Sequence, residues 1–181
     1  MTAKIIDGKA LSSKLRVAFR ARVSKLVEQG IRPGLAVILL GDNAASRVYV
    51  RNKINACDDC GLKSYPHLLP PDTTQDQLLE LIERLNEDEE VDGILVQLPL
   101  PPHIDMRKIL EAIAVDKDVD GFHLYNVGSL VVGNSIFPPC TPYGVQLLLD
   151  TTGIDVAGKN VVVVGASNIV GKPMALMLLQ K

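Results

Sequence analysis

Four polar side chains and one glycine turn carry the chemistry this sequence could do. Tyr49 and Lys53 stand four residues apart in a stretch of helical periodicity, so they lie one above the other on one face. Gln97 interrupts the apolar run of Val91–Pro102 (VDGILVQLPLPP). Asp120 stands where the carboxylate-rich Asp116–Gly121 (DKDVDG) passes directly into Phe122 and His123, which suggests a carboxylate held at a pocket wall. A lysine can exchange a proton, an amide can orient it without adding charge, and a carboxylate accepts two parallel N–H donors. Each residue also fits a plainer role. Gln97 could satisfy backbone at a strand end, Tyr49 could pack on a sheet beside a solvated Lys53, and DKDVDG could be a solvated surface loop. A calcium site there is weak, because the spacing is wrong and no bidentate Glu follows.

The glycine turn is Gly165-Ala166-Ser167-Asn168-Ile169-Val170-Gly171. It follows four valines and precedes a helical stretch to Lys181, the order of strand, turn and helix that opens a dinucleotide-binding unit. Gly165 permits the tight turn, and Ser167 replaces the glycine at the pyrophosphate with a hydroxyl able to bond a phosphate oxygen. The helix N-terminus is expected to supply free N–H groups, and Gly171 to let helix and strand approach. The spacing departs from GxGxxG, so the signal comes from its flanks as much as from its glycines.

The elements that would position these groups alternate. Lys9 to Gln29 is predicted as an amphipathic helix with Leu11, Leu15, Phe19, Val23 and Leu26 as its stripe. Leu35–Leu40 reads as a buried strand, and a helix from Ala44 or Ser46 to Cys60 carries Tyr49 and Lys53. Leu62–Leu69 reads as an edge strand because Pro66 lies inside it. Thr74 to Asn86 is a helix opened by a Thr74/Gln77 capping box, with Leu78, Leu81, Ile82 and Leu85 apolar. The strand of Val91–Pro102 ends at Pro99, Pro101 and Pro102, so Gln97 falls at a carboxyl end, where open α/β sheets bind ligands. Asp105–Ala114 is a short helix with Met106, Ile109, Leu110 and Ile113 apolar. This order implies a mainly parallel sheet covered on both faces, a three-layer αβα arrangement. Asn126, Gly128 and Pro139–Pro142 (PCTP) read as a tight linker before a helix over Tyr143–Asp150, and Asn160–Val164 as a strand.

The composition excludes several partner classes. With 181 residues, 47% of them apolar, and a net charge of -2, neither nucleic acid nor a membrane surface is indicated. No run is long enough to span a bilayer, and MTAKIIDGKA lacks a signal core, which reads as cytoplasmic. Cys57, Cys60 and Cys140 are an odd set. The CxxC spacing of Cys57-Asp-Asp-Cys60 finds no second ligand cluster for zinc and lies late in a helix rather than after a strand, so it reads as two incidental thiols and no metal is expected.

These segments together resemble the bifunctional methylenetetrahydrofolate dehydrogenase/cyclohydrolase family. The matching stretches are SRVYVRNK (Ser46–Lys53), DGILVQLPLP (Asp92–Pro101), KDVDGFH (Lys117–His123), NVGSL (Asn126–Leu130), PCTPYG (Pro139–Gly144) and GASNIVGKP (Gly165–Pro173). They occur in the family's order and spacing across the whole chain. The resemblance implies NADP-dependent oxidation of 5,10-methylenetetrahydrofolate, then hydrolysis of the methenyl product to 10-formyltetrahydrofolate. It implies Lys53, Tyr49 and Gln97 as catalytic residues, and Tyr49, Asp120, Gln97 and Pro99 against the substrate. It implies Gly165, Ala166, Ser167 and Gly171 at the cofactor, and a homodimer. It also implies a folate-binding catalytic domain over 1–139 and an incomplete NAD(P)-binding domain of Rossmann type over 140–181. Ala166 departs from relatives whose arginine meets the 2′-phosphate, so NAD stays open beside NADP. The residue that would choose between them, about twenty positions on, is not in the chain, which reads as the N-terminal part of something longer with its dehydrogenase activity lost. Two other readings remain: a two-domain dehydrogenase of shikimate or amino-acid type, which leaves Tyr49, Gln97 and PCTP unexplained, and an inactive binding fragment.

Overall fold

Leu35–Leu40 is apolar at every position, and such a strand needs cover on both faces. The computed structural model describes residues 3–181. It places this strand, β1 (Gly34–Leu40), at the centre of a parallel sheet with β2 (Lys63–Leu69) and β3 (Gly93–Val96), in the order β2-β1-β3. The register pairs Leu40 with Leu69 and Ile38 with Val96, so the carboxyl ends of all three strands share one rim.

Parallel pairing dictates the helices. α1 (Gly8–Glu28) precedes the sheet, α2 (Ala44–Cys60) joins β1 to β2, and α3 (Gln75–Glu87) joins β2 to β3. Those two crossovers run in opposite directions across the sheet, so right-handedness puts α2 and α3 on opposite faces. Val37 and Leu39 pack with Val50 of α2 and with Leu95, while Ala36 and Ile38, pointing the other way, are also fully buried. Asn43 caps α2 by accepting from the Ser46 N–H, and Gly61 ends it in the left-handed conformation. The Thr74/Gln77 capping box forms, and all four predicted apolar residues of α3 are buried. α4 (Met106–Ala112) is capped by Asp105 and buries Ile109 and Leu110.

The chain divides into two compact units, one of Leu15–Val119 and one combining residues up to Lys14 with Asp120–Lys181. In the second, α5 (Leu124–Val131) and α7 (Gly171–Leu179) pack through Leu130, Met174 and Met177, and α6 (Cys140–Asp150) lies against α7. The Gln180 amide donates to the Leu130 carbonyl at 2.6 Å.

Three expectations are corrected, and of the two readings of Asp116–Gly121 the solvated loop is excluded. Val161–Val164 forms no strand and Val164 is 97% exposed. The valine run has the propensity of a doubly buried strand, but a strand needs a ladder partner and none lies beside it among the described residues. Asn126 and Gly128 lie inside α5, and PCTP begins α6 rather than linking. The predicted stripe of α1 is only partly used: Val23 is buried and Phe19 is exposed. Asp116–Gly121 is not a solvated loop. Asp118 is 1% exposed, its backbone pairs with Ile94, and Lys117 donates to the Leu85 and Asp88 carbonyls that end α3.

The edge strand β2 is defended by its own side chains. Pro66 removes a donor, and Lys63 and the Tyr65 hydroxyl both donate to Glu90, at 3.1 and 2.7 Å. A Cβ at Gly34 would fall 2.0 Å from the Glu90 carbonyl oxygen, so this position tolerates no side chain. Next along that face, His67 has its Nε2 buried without a hydrogen-bond partner among the described residues. Burial, with a smaller contribution from Arg84, holds its pKa below the usual 6.5. The fold therefore favours the neutral ring. That stabilisation is complete above about pH 6.5 and is lost as pH falls through the lowered folded value. Urea unfolding from pH 7.5 to 5 is expected to show falling stability with a shallower slope in His67→Gln; equal slopes would remove His67 as the cause.

Candidate active site

Gln97 follows the last residue of β3, and its N–H continues the ladder to the Ile38 carbonyl at 2.8 Å. Lys53 lies nine residues into α2, roughly 14 Å down the helix from its start. Helical side chains lean back toward the N-terminus, which returns the Lys53 amine to the rim of strand ends. There Lys53 Nζ donates to Gln97 Oε1 at 3.1 Å, and Gln97 Nε2 donates to the Leu98 carbonyl at 2.8 Å. The second bond fixes the amide, because turning it over would set its NH2 against the amine and its oxygen against a carbonyl. Both residues are half-buried. Tyr49, one turn earlier on α2, is 63% exposed and so offers a free ring face. Pro99 follows Gln97 by two residues and is exposed.

Asp120 opens the second unit and is half-buried. The backbone after it is held tightly: Gly121 has φ +69°, and a Cβ there would fall 2.3 Å from the Phe137 carbonyl oxygen. In the chain Asp120 thus stands between the buried Asp118 with the partly buried Val119 and a glycine that tolerates no side chain.

The turn before α7 differs in one respect from its sequence-based reading. Ser167 Oγ accepts from the Val170 and Gly171 N–H groups at 3.1 and 3.2 Å, and the Ser167 carbonyl accepts from Lys172. The first N–H groups of the helix are thus occupied, not free. The Ser167 hydroxyl proton is not used by those contacts and can still be donated. The close approach expected at Gly171 is present, since a Cβ there would lie 2.3 Å from the Gly165 carbonyl oxygen. Lys172 is held by the Asn168 side chain at 2.7 Å.

An open cleft of about 570 Å³ lies between α2 and the end of β2, lined by Leu39, Val50, Ile54 and Leu68 with Arg47 and Arg51 beside them. Those arginines sit roughly 160–200° around α2 from Tyr49, so this cleft is on the opposite flank from the Lys53–Gln97 pair. It is apolar, and Arg47 is already paired with Asp42, so the acid–base groups lie elsewhere. Cys57 and Cys60 are buried free thiols, and burial, then Asp58 and Cys60, raises the Cys57 pKa, which disfavours the thiolate. Among the described residues no group of three or more His, Cys, Asp and Glu is placed to hold a metal ion, and no helix is long and apolar enough to cross a membrane.

A parallel α/β unit with a lysine–amide pair at its strand ends, followed in the chain by a glycine turn and helix, defines the class: an α/β protein with a polar site at its strand ends. Comparison makes it particular. Residues 6–120 match the catalytic domain of tetrahydrofolate dehydrogenase/cyclohydrolase, and 139–181 match its NAD(P)-binding domain. The chain is 58% identical over all 181 residues to the bifunctional protein FolD of Nitrosospira multiformis, of which it covers 63%. It superposes on the FolD enzyme of Campylobacter jejuni with a TM-score of 0.96 at 53% identity, covering 98% of this chain and 63% of that one. The Trypanosoma brucei enzyme, solved with NADP and an inhibitor, gives 0.96 at 39% identity, covering 99% and 62%. The chain belongs to the tetrahydrofolate dehydrogenase/cyclohydrolase family and spans a little under two thirds of the length of these relatives.

Sequence reasoning brought Lys53, Gln97 and Tyr49 to one rim but missed the Leu98 carbonyl that sets the Gln97 amide, because a backbone acceptor has no sequence signature. It also missed Ser167 as a cap; the signal available was a serine three residues before Val170. Replacing Ser167 by Ala is expected to raise amide exchange at Val170 and Gly171 about fivefold, the effect of losing a cap worth ~1 kcal/mol. Unchanged exchange would show that the hydroxyl does not hold the turn.

Proposed function

We propose that this chain provides the folate-binding catalytic domain (1–139) and part of the NAD(P)-binding domain (140–181) of a cytoplasmic, homodimeric enzyme. That enzyme oxidises 5,10-methylenetetrahydrofolate to the methenyl form and hydrolyses it to 10-formyltetrahydrofolate. The single observation that carries the reading is the Lys53 Nζ–Gln97 Oε1 bond, 3.1 Å long, at the carboxyl rim of a sheet belonging to this family.

The residues divide the work. In hydrolysis a water oxygen forms a bond to the methenyl carbon, and the bond from that carbon to the ring nitrogen N5 breaks. Lys53, as the amine, takes a proton from the water and returns one to N5, and the net reaction releases one proton. Gln97 aims Lys53 without adding charge beside a cationic substrate. Tyr49 stacks on the aminobenzoyl ring with its exposed face, Pro99 borders the pocket, and Asp120 accepts paired N–H donors of the pterin edge. NADP, when bound, supplies the acceptor for the hydride of the oxidation. Gly165, at φ +135°, makes the turn and Gly171 lets the helix pack against it, Ala166 lies beside the cofactor, and Ser167 offers a hydroxyl proton to a phosphate oxygen. Tetrahydrofolate derivatives are the partners; nucleic acid and membranes are not.

The test is loss of the 5,10-methenyltetrahydrofolate absorbance without cofactor. The chain is expected to exceed the buffer rate, and Lys53→Ala to lower the catalysed rate at least about a hundredfold, the low end for a general acid–base residue. Equal rates for the chain and Lys53→Ala would overturn the assignment.

A further inference from the structure

We propose that His103 is a positioning residue for Gln97, acting along a stiff proline segment. The loop after β3 carries Gln97 and then Leu98-Pro99-Leu100-Pro101-Pro102. Its three prolines have no N–H, so the segment can anchor itself through few backbone bonds, and their fixed φ makes it a stiff spacer. A stiff spacer holds its ends in place only if both are tied. The first end is tied by the Gln97 N–H to the Ile38 carbonyl. The far end is tied by His103 Nε2, 2.9 Å from the Thr73 carbonyl, and by the Asp105 N–H, 2.9 Å from Gln75 Oε1. Thr73 is itself fixed, because its hydroxyl and its N–H both donate to the Pro70 carbonyl. Ile104 is buried between these two ties and closes a turn onto the Pro101 carbonyl.

The chemistry of the contact says which tautomer is present. A carbonyl only accepts, so Nε2 carries the proton in either charge state of the ring. The bond therefore persists across neutral pH, and an amide donor at the same reach could replace it. His103 does not touch Lys53 or Gln97. It acts through the segment: the Gln97 backbone stays on the ladder without it, but the far end of the segment keeps only the Asp105 tie, so the Leu98 carbonyl that sets the Gln97 amide is held less firmly. The consequence for catalysis rests on the proposed function; the mechanical coupling does not.

The test uses the whole isotope-labelled chain and follows the Gln97 side-chain NH2 by nuclear magnetic resonance. In His103→Ala its solvent exchange is expected to rise about fivefold to tenfold, the range of one net hydrogen bond. The amides of α1 serve as the unchanged control, and His103→Gln is expected to restore protection. A Gln97 NH2 indifferent to His103→Ala overturns the proposal. So does His103→Gln failing as badly as Ala, or a loss spread equally through α1. Methenyl hydrolysis is run on the same proteins, with kcat lowered in His103→Ala and restored in His103→Gln. Coupled resonances with no hydrolysis by the parent chain would sustain the positioning role and count against the folate reading.

Discussion

Parallel pairing of β1 with both neighbours is the constraint from which the rest of the first unit follows. A parallel neighbour cannot be reached by a hairpin, so each connection must travel back along the sheet, and an α-helix is the compact way to do so. The two crossovers then cover the two faces that an all-apolar β1 must hide. The same geometry gathers every strand end at one rim, and the loop residues after β1, β2 and β3 become neighbours without any contact being specified between them. Asn43, Thr73 and Gln97 all sit on such loops.

The Lys53–Gln97 pair shows how that rim becomes a site. Lys53 is far from the start of its helix in sequence, yet the backward lean of helical side chains returns its amine to the rim. Gln97 lies just beyond a strand whose four residues are all buried, so its backbone cannot shift without breaking the ladder. A carboxylate at position 97 would have held the lysine as a tight ion pair. The amide holds it without adding charge, and the Leu98 carbonyl decides which amide atom faces it. The open apolar cleft on the other flank of α2 has no comparable pair.

Much of this was legible in the sequence, for reasons that differ by element. The strands around Leu35–Leu40 and Ile94–Val96 and the stripe of α3 were readable because burial on a regular element imposes a period, and capping at Thr74 because its partners are local. The resemblance singled out Lys53, Gln97 and Asp120, which spacing alone could not distinguish from packing, and the structure brings the first two into contact. What failed was non-local. The four valines have strand propensity at every position, but the ladder that would express it depends on a neighbour elsewhere. Asp118 looked solvated because its sequence neighbours are charged, whereas its burial follows from the Ile94 bridge. Asn126 and Gly128 looked like loop residues because a two-turn helix gives too short a period to read.

The Ser167 turn shows why departing from a glycine motif need not remove its use. In a glycine-rich turn the backbone approaches an anion because nothing projects, and free helix N–H groups meet it. Here those groups at Val170, Gly171 and Lys172 are spent on Ser167, which by itself would lower the attraction for an anion. A hydroxyl accepts through its lone pairs and donates through its proton, and only the lone pairs are used in the cap. The turn thus gathers two backbone donors onto one oxygen, and their pull on its lone pairs polarises the remaining O–H toward any acceptor in front of it. Gly171 stays indispensable for a separate reason: at 2.3 Å between a Cβ and the Gly165 carbonyl oxygen, no side chain fits there without moving the turn itself, while Gly165 is constrained by its φ of +135° and not by crowding.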